Sequence, residues 1–310
     1  MRATAPLLVA THERCAAHEP PPGHPDRPER LRAALTGAAA AGAEPLLVPL
    51  VEKDVLAGIV RVHDPRMPER LRRACEHPPA IFDSEDNPVS RGTYGAALAA
   101  AGAAIAAAGA AAEGSAGAIW VPVRPPGHHA LRDRAMGFCF FNNAAIAAEE
   151  LLARGCGPVA IVDFDVHHGN GTQDIFWHEP RVLYASTHQW PLYPGTGARA
   201  ETGVGNIVNA QLPAGAGSTE FRTAVQETVL PRLHGFRPQL VMISSGFDAH
   251  RLDPLASLNL EADDYAWVTR ELVGVAREHA QGRVVSGLEG GYSLSALRDC
   301  TVAHVAALME

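Results

Sequence analysis

The sequence predicts an α/β fold built on a parallel β-sheet, with helices packed on both of its faces. Three observations predict this class. Short apolar runs alternate with long alanine-rich or amphipathic stretches, the runs end at Gly, Pro or Asp, and no repeat or long linker interrupts the order. With 310 residues, 47% hydrophobic and 19% charged, the chain has an ordinary globular composition, so we expect a single domain over residues 1–310.

The predicted elements follow this alternation along the chain. The first helix has the clearest start, because "RPERLRAAL" places Pro in the first turn with Glu after it. Strands are predicted at residues 7–10, 118–122, 159–164, 182–187, 240–244 and 283–288. Helices are predicted at residues 28–41, 94–112, 142–154, 218–234, 262–279 and 294–308.

Composition and charge exclude several classes of protein. The formal net charge is −8 and no run of basic residues occurs, so we expect no nucleic-acid partner. Five widely spaced cysteines form neither a disulfide framework nor a structural zinc site, which fits a reducing cytoplasm. The first residues lack the apolar segment of a signal peptide. The alanine-rich stretch 96–112 contains two glycines and is interpreted as a helix packed on the sheet, not a membrane span.

Four segments rich in Pro, Gly, His and aromatic residues interrupt the pattern. They cover residues 11–27, 122–141, 165–178 and 188–206, and each follows a predicted strand. Ligands of open parallel sheets bind outside the carboxyl ends of the strands. We therefore expect these loops to meet at one edge of the sheet and to form the functional site.

The segment "VDFDVHHGNGTQ" is the strongest local indication of a metal site. In an extended chain Asp165 and His167 share one face, and Asp163 lies one period earlier on that face, where it could orient a neighbour. Asp248 follows another apolar strand and is either a third ligand or a loop cap. One imidazole and two carboxylates with open positions suit Zn²⁺, and Fe²⁺ or Co²⁺ are alternatives.

Two further loops predict the rest of an active site. "RPPGHHALRDRAMGFCFFNN" carries the histidine pair His128 and His129, and its aromatic run "GFCFF" predicts an aromatic-walled slot for an apolar chain. In "LEGGY", Tyr292 follows paired glycines, so it is either a buried tyrosine or a phenol that stabilises an oxyanion. "HQWPLYPGTG" adds Trp190 and Tyr193 to the expected rim.

With these motifs the chain resembles the zinc-dependent histone deacetylase family, in particular the class II branch and the bacterial histone deacetylase-like amidohydrolases. The resemblance runs from "HPDRPERL" (24–31) through "RPPGHHA", "VDFDVHHGNGTQ", "YPGTG" and "GFDAHRLDPL" to "LEGGY". It implies the arginase/deacetylase fold, a parallel sheet of about eight strands between helix layers.

The resemblance also implies roles for these residues. It makes Asp165, His167 and Asp248 the zinc ligands. His129 would be the general base and then the acid that protonates the leaving amine, and His128 would give electrostatic support. Three further positions of the family pattern have implied roles: Asp163 orients the first histidine, Asn170 partners the second, and Tyr292 is the transition-state phenol.

Other family positions concern substrate and potassium. Phe138 and Tyr193, with Gly137 beside Phe138, resemble the acyl-lysine tunnel. Arg30 resembles the arginine of the acetate exit channel, and Ser90 a rim residue that holds the substrate backbone. Leu255 lies where the polyamine-specific members carry an acidic gatekeeper, and Ser245 replaces the usual Ala. The family also implies K⁺ bound by the main-chain oxygens of Asp163, Asp165, His167 and Thr187 and by the hydroxyl of Ser186.

The resemblance therefore predicts a zinc-dependent amidohydrolase that removes an acetyl or related acyl group from acyl-lysine in a protein or peptide, or from a small acylated amine. Two alternatives remain: an acetylpolyamine deacetylase with the same chemistry, and a catalytically idle acyl-lysine binding protein. A dimetal ureohydrolase needs D-x-H-x-D, whereas this loop reads "DVHHG". The sequence leaves the oligomeric state and the acyl chain length open.

Overall fold

The computed structural model describes residues 7–310. The first six residues, which bear on the expectation that no signal peptide is present, lie outside the described part. In chain order the elements are β1 (Leu8–Thr11), a 3₁₀ turn (Glu13–Ala16), α1 (Glu29–Ala40), β2 (Pro45–Leu47), α2 (Glu52–Val62), α3 (Met67–Ala74), β3 (Ala80–Ile81), β4 (Pro88–Val89), α4 (Thr93–Ala112), β5 (Ala118–Val121), α5 (Asn143–Ala153), β6 (Val159–Asp163), α6 (Asn170–Ile175), β7 (Val182–Gln189), β8 (Ile207–Leu212), α7 (Ser218–Ala224), a π-turn (Val225–Val229), α8 (Leu230–Phe236), β9 (Leu240–Ser245), α9 (Ala262–His279), β10 (Val284–Leu288) and α10 (Leu294–Met309).

Eight of the strands form one parallel sheet, which confirms the predicted fold class. Their order is β2-β1-β5-β10-β9-β6-β7-β8, and β3 pairs with β4 in a separate two-stranded hairpin. Because all eight strands run the same way, their carboxyl ends meet at one edge. The loops with the predicted functional residues follow this edge.

The two faces of the sheet bury two separate hydrophobic cores. Successive residues of a strand point to opposite faces. Ile119 and Val121 of β5 accordingly pack with α2, α4 and α5, whereas Trp120 packs on the other side with α1, α9 and α10. Helices thus cover both faces, as predicted.

The two strands of the eight-stranded sheet that the sequence did not predict, β2 and β8, lie at its edges. β2 has only three residues, all exposed, so no apolar alternation marks it. β8 contains Asn209 and Gln211, whose side chains bond to neighbouring segments: Asn209 Nδ2 is 2.8 Å from Gln173 Oε1 in α6, and Gln211 Nε2 is 3.0 Å from Gly197 O. These polar side chains break the apolar run that identifies a central strand.

The helix prediction differs from the structure at three places. α2 and α3 were not predicted, and α6 lies inside the predicted loop 165–178. The predicted helix 218–234 consists of α7, a π-turn and α8. β7 also continues to Gln189, two residues beyond its predicted end.

The alanine-rich α4 is by length and composition apolar enough to cross a membrane, and 72% of its apolar window is buried in the fold. It packs against α2 and α5 and against β5. This packing agrees with its interpretation as a core helix. All five cysteines are free, in agreement with the absence of a predicted disulfide framework.

Candidate metal-dependent active site

The predicted functional motifs lie together at the carboxyl edge of the sheet. His128 and His129 follow β5, the segment 165–167 follows β6, Asp248 follows β9 and Tyr292 follows β10. These four strands are consecutive in the sheet order. The topology therefore brings residues far apart in sequence to one site.

Asp165, His167 and Asp248 each point one ligand atom to a common centre. His167 Nδ1 lies 3.2 Å from Asp165 Oδ1 and 3.2 Å from Asp248 Oδ2, and all three side chains are buried. Main-chain amides hold the other carboxylate oxygens: Gly290 N donates to Asp165 Oδ2 at 2.7 Å, and Val166 N donates to Asp248 Oδ1 at 2.9 Å. Two buried carboxylates and an imidazole fit a Zn²⁺ ion with open coordination positions.

A turn, not strand alternation, brings Asp165 and His167 together. The prediction placed both residues on one face of an extended strand, but β6 ends at Asp163. There the chain bends because Asp163 Oδ1 accepts a hydrogen bond from Asp165 N (3.1 Å), and Asp165 Oδ1 accepts one from His167 N (2.9 Å). Asp side chains commonly stabilise turns by such bonds to the amide two residues on.

The histidine pair lies beside the three ligand atoms, with ring centroids 4.0 Å apart. His128 Nδ1 is 3.0 Å from Asp163 Oδ2, and the Tyr184 hydroxyl donates to the same oxygen at 2.9 Å. His129 Nδ1 is 2.8 Å from Asn170 Oδ1. Each ring is therefore oriented through Nδ1, with the partner that the resemblance implies.

The two histidines have pKa values displaced in opposite directions. Burial opposes the charged form of His128, but the carboxylates of Asp165 and Asp163 outweigh it and raise the pKa of His128 well above its usual value. Burial, together with the charges of His128 and His167, holds the pKa of His129 well below its usual value. Two adjacent groups with separated pKa values are suited to different acid and base roles.

Tyr292 lies on a turn that Asp253 and Arg30 support. The carboxylate of Asp253 accepts a hydrogen bond from Tyr292 N at 2.6 Å. The guanidinium of the fully buried Arg30 lies 4.6 Å from the centre of the Tyr292 ring, and it donates to Gly291 O at 2.6 Å and Glu289 O at 2.5 Å. Arg30 therefore holds the backbone of the Tyr292 turn in position through these hydrogen bonds.

A cavity of about 300 Å³ opens at this centre. Seven of the predicted site residues and one residue that was not predicted line this cavity. Its lining residues are Asp86, His129, Gly137, Phe138, His167, Tyr193, Leu255 and Tyr292. Gly137 has a φ of 60°, and a Cβ at this position would collide with the His129 ring, so glycine is required there.

Asp86 organises the mouth of this cavity. Its Oδ2 accepts hydrogen bonds from the Tyr193 hydroxyl at 2.8 Å and from Gly137 N at 3.0 Å. The neighbouring Asn87 accepts a hydrogen bond from Phe138 N at 2.8 Å. The segment before β4 thus joins the two aromatic residues of the cavity wall.

Four predicted rim or wall residues lie outside this cavity lining. Phe140 and Phe141 pack in the hydrophobic core, and Trp190 stacks edge-on against His188. The Ser90 hydroxyl accepts a hydrogen bond from Glu19 N and contacts Thr93 Oγ1, so it joins the N-terminal loop to the start of α4. In this part of the chain Asp86, not Ser90, lines the cavity.

The sequence interpretation also missed buried carboxylates that hold main-chain amides of the site. Glu289 Oε2 accepts hydrogen bonds from Gly127 N (2.7 Å) and His128 N (3.1 Å). Burial raises the pKa of Glu289 to about 7. Glu289 lies in the "LEGGY" motif and Asp253 in "RLDPL", but neither motif indicates which amides these carboxylates hold.

The residues implied as potassium ligands lie at the end of β6, in the turn after it and within β7. Asp163 pairs in register with Ser186. Thr187 Oγ1 is buried without a hydrogen-bond partner among the described residues, and Ser186 Oγ is 2.9 Å from His188 Nδ1. A buried hydroxyl oxygen without a partner beside the implied ligands is compatible with a cation site there.

Comparison with known proteins gives a consistent result. The family model described as "Histone deacetylase domain" matches residues 24–308. A "Probable deacetylase" of Archaeoglobus fulgidus is 39% identical over 293 residues, which cover 92% of this chain and 81% of that protein. A "Histone deacetylase-like amidohydrolase" of Pseudomonas aeruginosa is 39% identical over 294 residues, 91% of this chain and 76% of that protein.

Among solved structures, the crystal structure of an acetylpolyamine aminohydrolase from Burkholderia pseudomallei superposes with a TM-score of 0.85. It is 32% identical and covers 98% of both chains. The eight-stranded parallel sheet with flanking helices is therefore the arginase/deacetylase fold that the resemblance implied.

Proposed function

Because the chain belongs to the histone deacetylase family, we propose that it is a zinc-dependent amidohydrolase that removes an acetyl or related acyl group from acyl-lysine. One observation carries the proposal: three convergent ligand atoms and two oriented histidines lie together at a cavity that His167, His129 and Tyr292 line. Residues 1–310 would form one catalytic domain with this single active site.

Asp165, His167 and Asp248 would hold the zinc ion. Bound there, zinc supplies a Lewis acid that polarises the amide carbonyl and activates a water molecule. The protein contributes the fixed positions of the ligand oxygens, which the amides of Gly290 and Val166 maintain. A Cβ at Gly246 or Gly290 would collide with the ligand carboxylates, so the backbone approaches closely on this side.

His129 is the proposed general base, because it lines the cavity and its depressed pKa keeps it neutral at pH 7. It would accept a proton at Nε2 and later pass it to the leaving amine, while Asn170 holds Nδ1. His128 would remain charged beside Asp163 and provide electrostatic stabilisation. The Tyr292 hydroxyl would donate a hydrogen bond to the oxyanion that develops on the substrate carbonyl.

Phe138, Tyr193 and Gly137 would enclose the aliphatic part of the acyl-lysine side chain. Arg30 would act indirectly, because its contacts hold the Tyr292 turn. For the substrate backbone, Asp86 is a better candidate than Ser90, since Asp86 lines the cavity mouth. The hydroxyl of Ser186 and the main-chain oxygens of Asp163, Asp165, His167 and Thr187 would bind a structural K⁺ ion.

An acetylpolyamine substrate is the second candidate, and the similarity to the Burkholderia aminohydrolase supports it. Leu255 lines the cavity where an acidic gatekeeper would favour a polyamine, so the apolar side chain favours acyl-lysine. We propose a cytoplasmic protein without a nucleic-acid partner, on the basis of its net charge and free cysteines. A catalytically idle acyl-lysine binding protein is the remaining alternative.

The proposal is tested by measuring kcat/KM of the zinc-loaded protein on acyl-lysine peptides of increasing chain length and on acetylspermidine. We expect turnover of acetyl-lysine peptides, with a loss of about 100-fold or more in kcat for Tyr292→Phe, since the variant removes an oxyanion donor. His129→Ala removes the proposed general base, so its kcat should fall by a similar factor. Unchanged rates in both variants would contradict the mechanism, and binding without turnover by the zinc-loaded protein would favour the idle binder.

A further inference from the structure

A second cluster of potential metal ligands lies far from the candidate active site. His234 belongs to the last turn of α8, and Glu278 and His279 end α9. α8 leads into β9 and α9 leads into β10, so this cluster lies at the amino ends of these strands. The candidate active site lies at their carboxyl ends, on the opposite edge of the sheet.

The three side chains of this cluster approach one another closely, through one nitrogen of each histidine and both carboxylate oxygens of Glu278. His234 Nδ1 is 3.1 Å from His279 Nε2 and 3.3 Å from Glu278 Oε2, and His279 Nε2 is 3.4 Å from Glu278 Oε1. Tetrahedral Zn²⁺ with bonds of about 2.0–2.2 Å separates its ligand atoms by roughly 3.3–3.5 Å. One ligand atom from each residue lies within 4.8 Å of the other two, and the shortest separations are close to those around one bound ion.

Hydrogen bonding alone does not satisfy all three side chains. If each imidazole donates to the carboxylate, two N–H groups face each other across 3.1 Å. If one imidazole donates to the other nitrogen instead, the acceptor's lone pair faces the carboxylate. A metal ion accepts an electron pair from each of the three side chains at once.

The surroundings also favour a cation. His234 and His279 lie in the last turns of two helices, where the partial charge of the helix dipole is negative. The His279 side chain is only 8% exposed, so one ligand is already held in place by packing, whereas Glu278 and His234 are exposed. Bulk water can reach the cluster and complete the coordination.

We propose that His234, Glu278 and His279 form a second metal site that binds one divalent transition-metal ion, such as Zn²⁺, with water at the remaining position. Two imidazoles and a carboxylate suit Zn²⁺, Ni²⁺ and Cu²⁺. The ion joins the ends of α8 and α9 at the base of β9 and β10. It stabilises this junction and takes no part in the reaction.

The test is the zinc stoichiometry of the untagged full chain, after removal of metal with a chelator and equilibrium dialysis against Zn²⁺. Wild type should bind two ions per chain, and His234→Ala one. His178→Ala, which removes an exposed histidine outside both clusters, should bind two. His234→Ala should also retain the wild-type deacylation rate, because it leaves the candidate active site intact.

A thermal measurement separates the two sites. In Asp248→Asn, where an active-site ligand is lost, added Zn²⁺ should still raise Tm, since a ligand that binds only the folded state stabilises it. His234→Ala in this background should abolish the rise, and Glu278→Gln should shift it to higher Zn²⁺ concentration. Equal zinc stoichiometry in wild type and His234→Ala, or an unchanged Tm rise in the double variant, would overturn the proposal.

Discussion

Asp253 controls the position of Tyr292 from the loop after β9. Its Oδ2 accepts hydrogen bonds from the amides of Tyr292 (2.6 Å) and Ser293 (3.2 Å), and its Oδ1 accepts one from Leu255 N (3.1 Å). One carboxylate therefore ties the Tyr292 turn to a residue of the cavity wall. It contributes to the site without touching the reacting atoms.

Asp253→Asn should lower kcat by about 10–100-fold with little change in KM. Asparagine has one acceptor oxygen, so it cannot accept from the Tyr292 turn and from Leu255 N at once, and a small displacement of a catalytic group costs rates of this size. Steady-state kinetics on an acyl-lysine peptide measure the split. Asp263→Asn, on the exposed surface of α9, is the matched control and should leave both constants unchanged. An equal loss in both variants would contradict a positioning role.

Asn170 is the partner through which the acid–base behaviour of His129 can be tested. Asn170→Asp places a carboxylate 2.8 Å from Nδ1, and an adjacent negative charge stabilises imidazolium and raises the pKa of His129. A general base must be neutral, so the acidic limb of kcat/KM should move to higher pH. The pH profile of kcat/KM measures this shift. A limb that stays in place, or moves to lower pH, would exclude His129 as the titrating base.

At the scale of elements, the turns after β9 and β10 position the carboxylates of the candidate metal centre. The amide of Gly290 donates to Asp165, and Gly246 lies against the same carboxylate. β9 and β10 are also joined by Ser245, whose hydroxyl donates to Gly287 O at 2.7 Å. This contact gives a structural role to the serine that replaces the usual alanine.

Gly290→Ala should weaken zinc binding at the active site. Its effect on the Tm of the metal-free protein should be the smaller of the two. The added Cβ would collide with the carboxylates of Asp248 and Asp165, so the ligand oxygens must move apart. Zinc content after dialysis and Tm of the metal-free protein measure the two effects. Gly274→Ala in α9 is the control, because its Cβ would meet nothing within 4 Å. It should keep full zinc content, and equal zinc content in Gly290→Ala would contradict the expected collision.

The sequence predicts elements well where burial imposes a pattern and poorly elsewhere. All four strands that carry the site, β5, β6, β9 and β10, were predicted because they are apolar on both faces. The edge strands β2 and β8 were missed because they lack this pattern. The amphipathic α2 was missed although its first turn contains Glu52 and Asp54, a recognisable start signal.

At the scale of the whole molecule, the site residues that sequence could predict are those whose chemistry is unusual in a loop. Histidine pairs and repeated aspartates identify the ligands and the base. Asp86, Asp253 and Glu289 act on backbone amides supplied by distant segments. A single carboxylate in sequence gives no information about which amide it will meet, so these roles required the fold.

Several of the fifteen histidines are buried and neutral in the folded protein. Burial lowers the pKa of His18 and His63 to about 4 and of His304 to about 3. In the unfolded chain a histidine titrates near pH 6.5. The unfolded state thus binds protons between about pH 6.5 and pH 4 that the folded state excludes, and acid should destabilise the fold in this range.

His304 allows a test of this acid sensitivity. Its ring nitrogens lie 2.6 Å from Thr269 Oγ1 and 2.8 Å from Ser286 Oγ, deep between α9, α10 and β10. Since its pKa is depressed in the folded state, its contribution is present above about pH 6.5 and is lost as the pH falls towards 3. One such group contributes up to about 1.4 kcal/mol per pH unit to the slope of the unfolding free energy.

His304→Gln cannot titrate, so its free energy of unfolding should fall less steeply between pH 6 and pH 4, by up to about 1.4 kcal/mol per pH unit. Lost packing lowers stability at every pH and leaves this slope unaffected. Urea unfolding at closely spaced pH values, under the same metal conditions, gives the slopes. His77→Gln, which replaces an exposed histidine, is the control and should leave the slope of the wild type unchanged. Parallel curves for wild type and His304→Gln would show that His304 is protonated equally in the folded and unfolded chain.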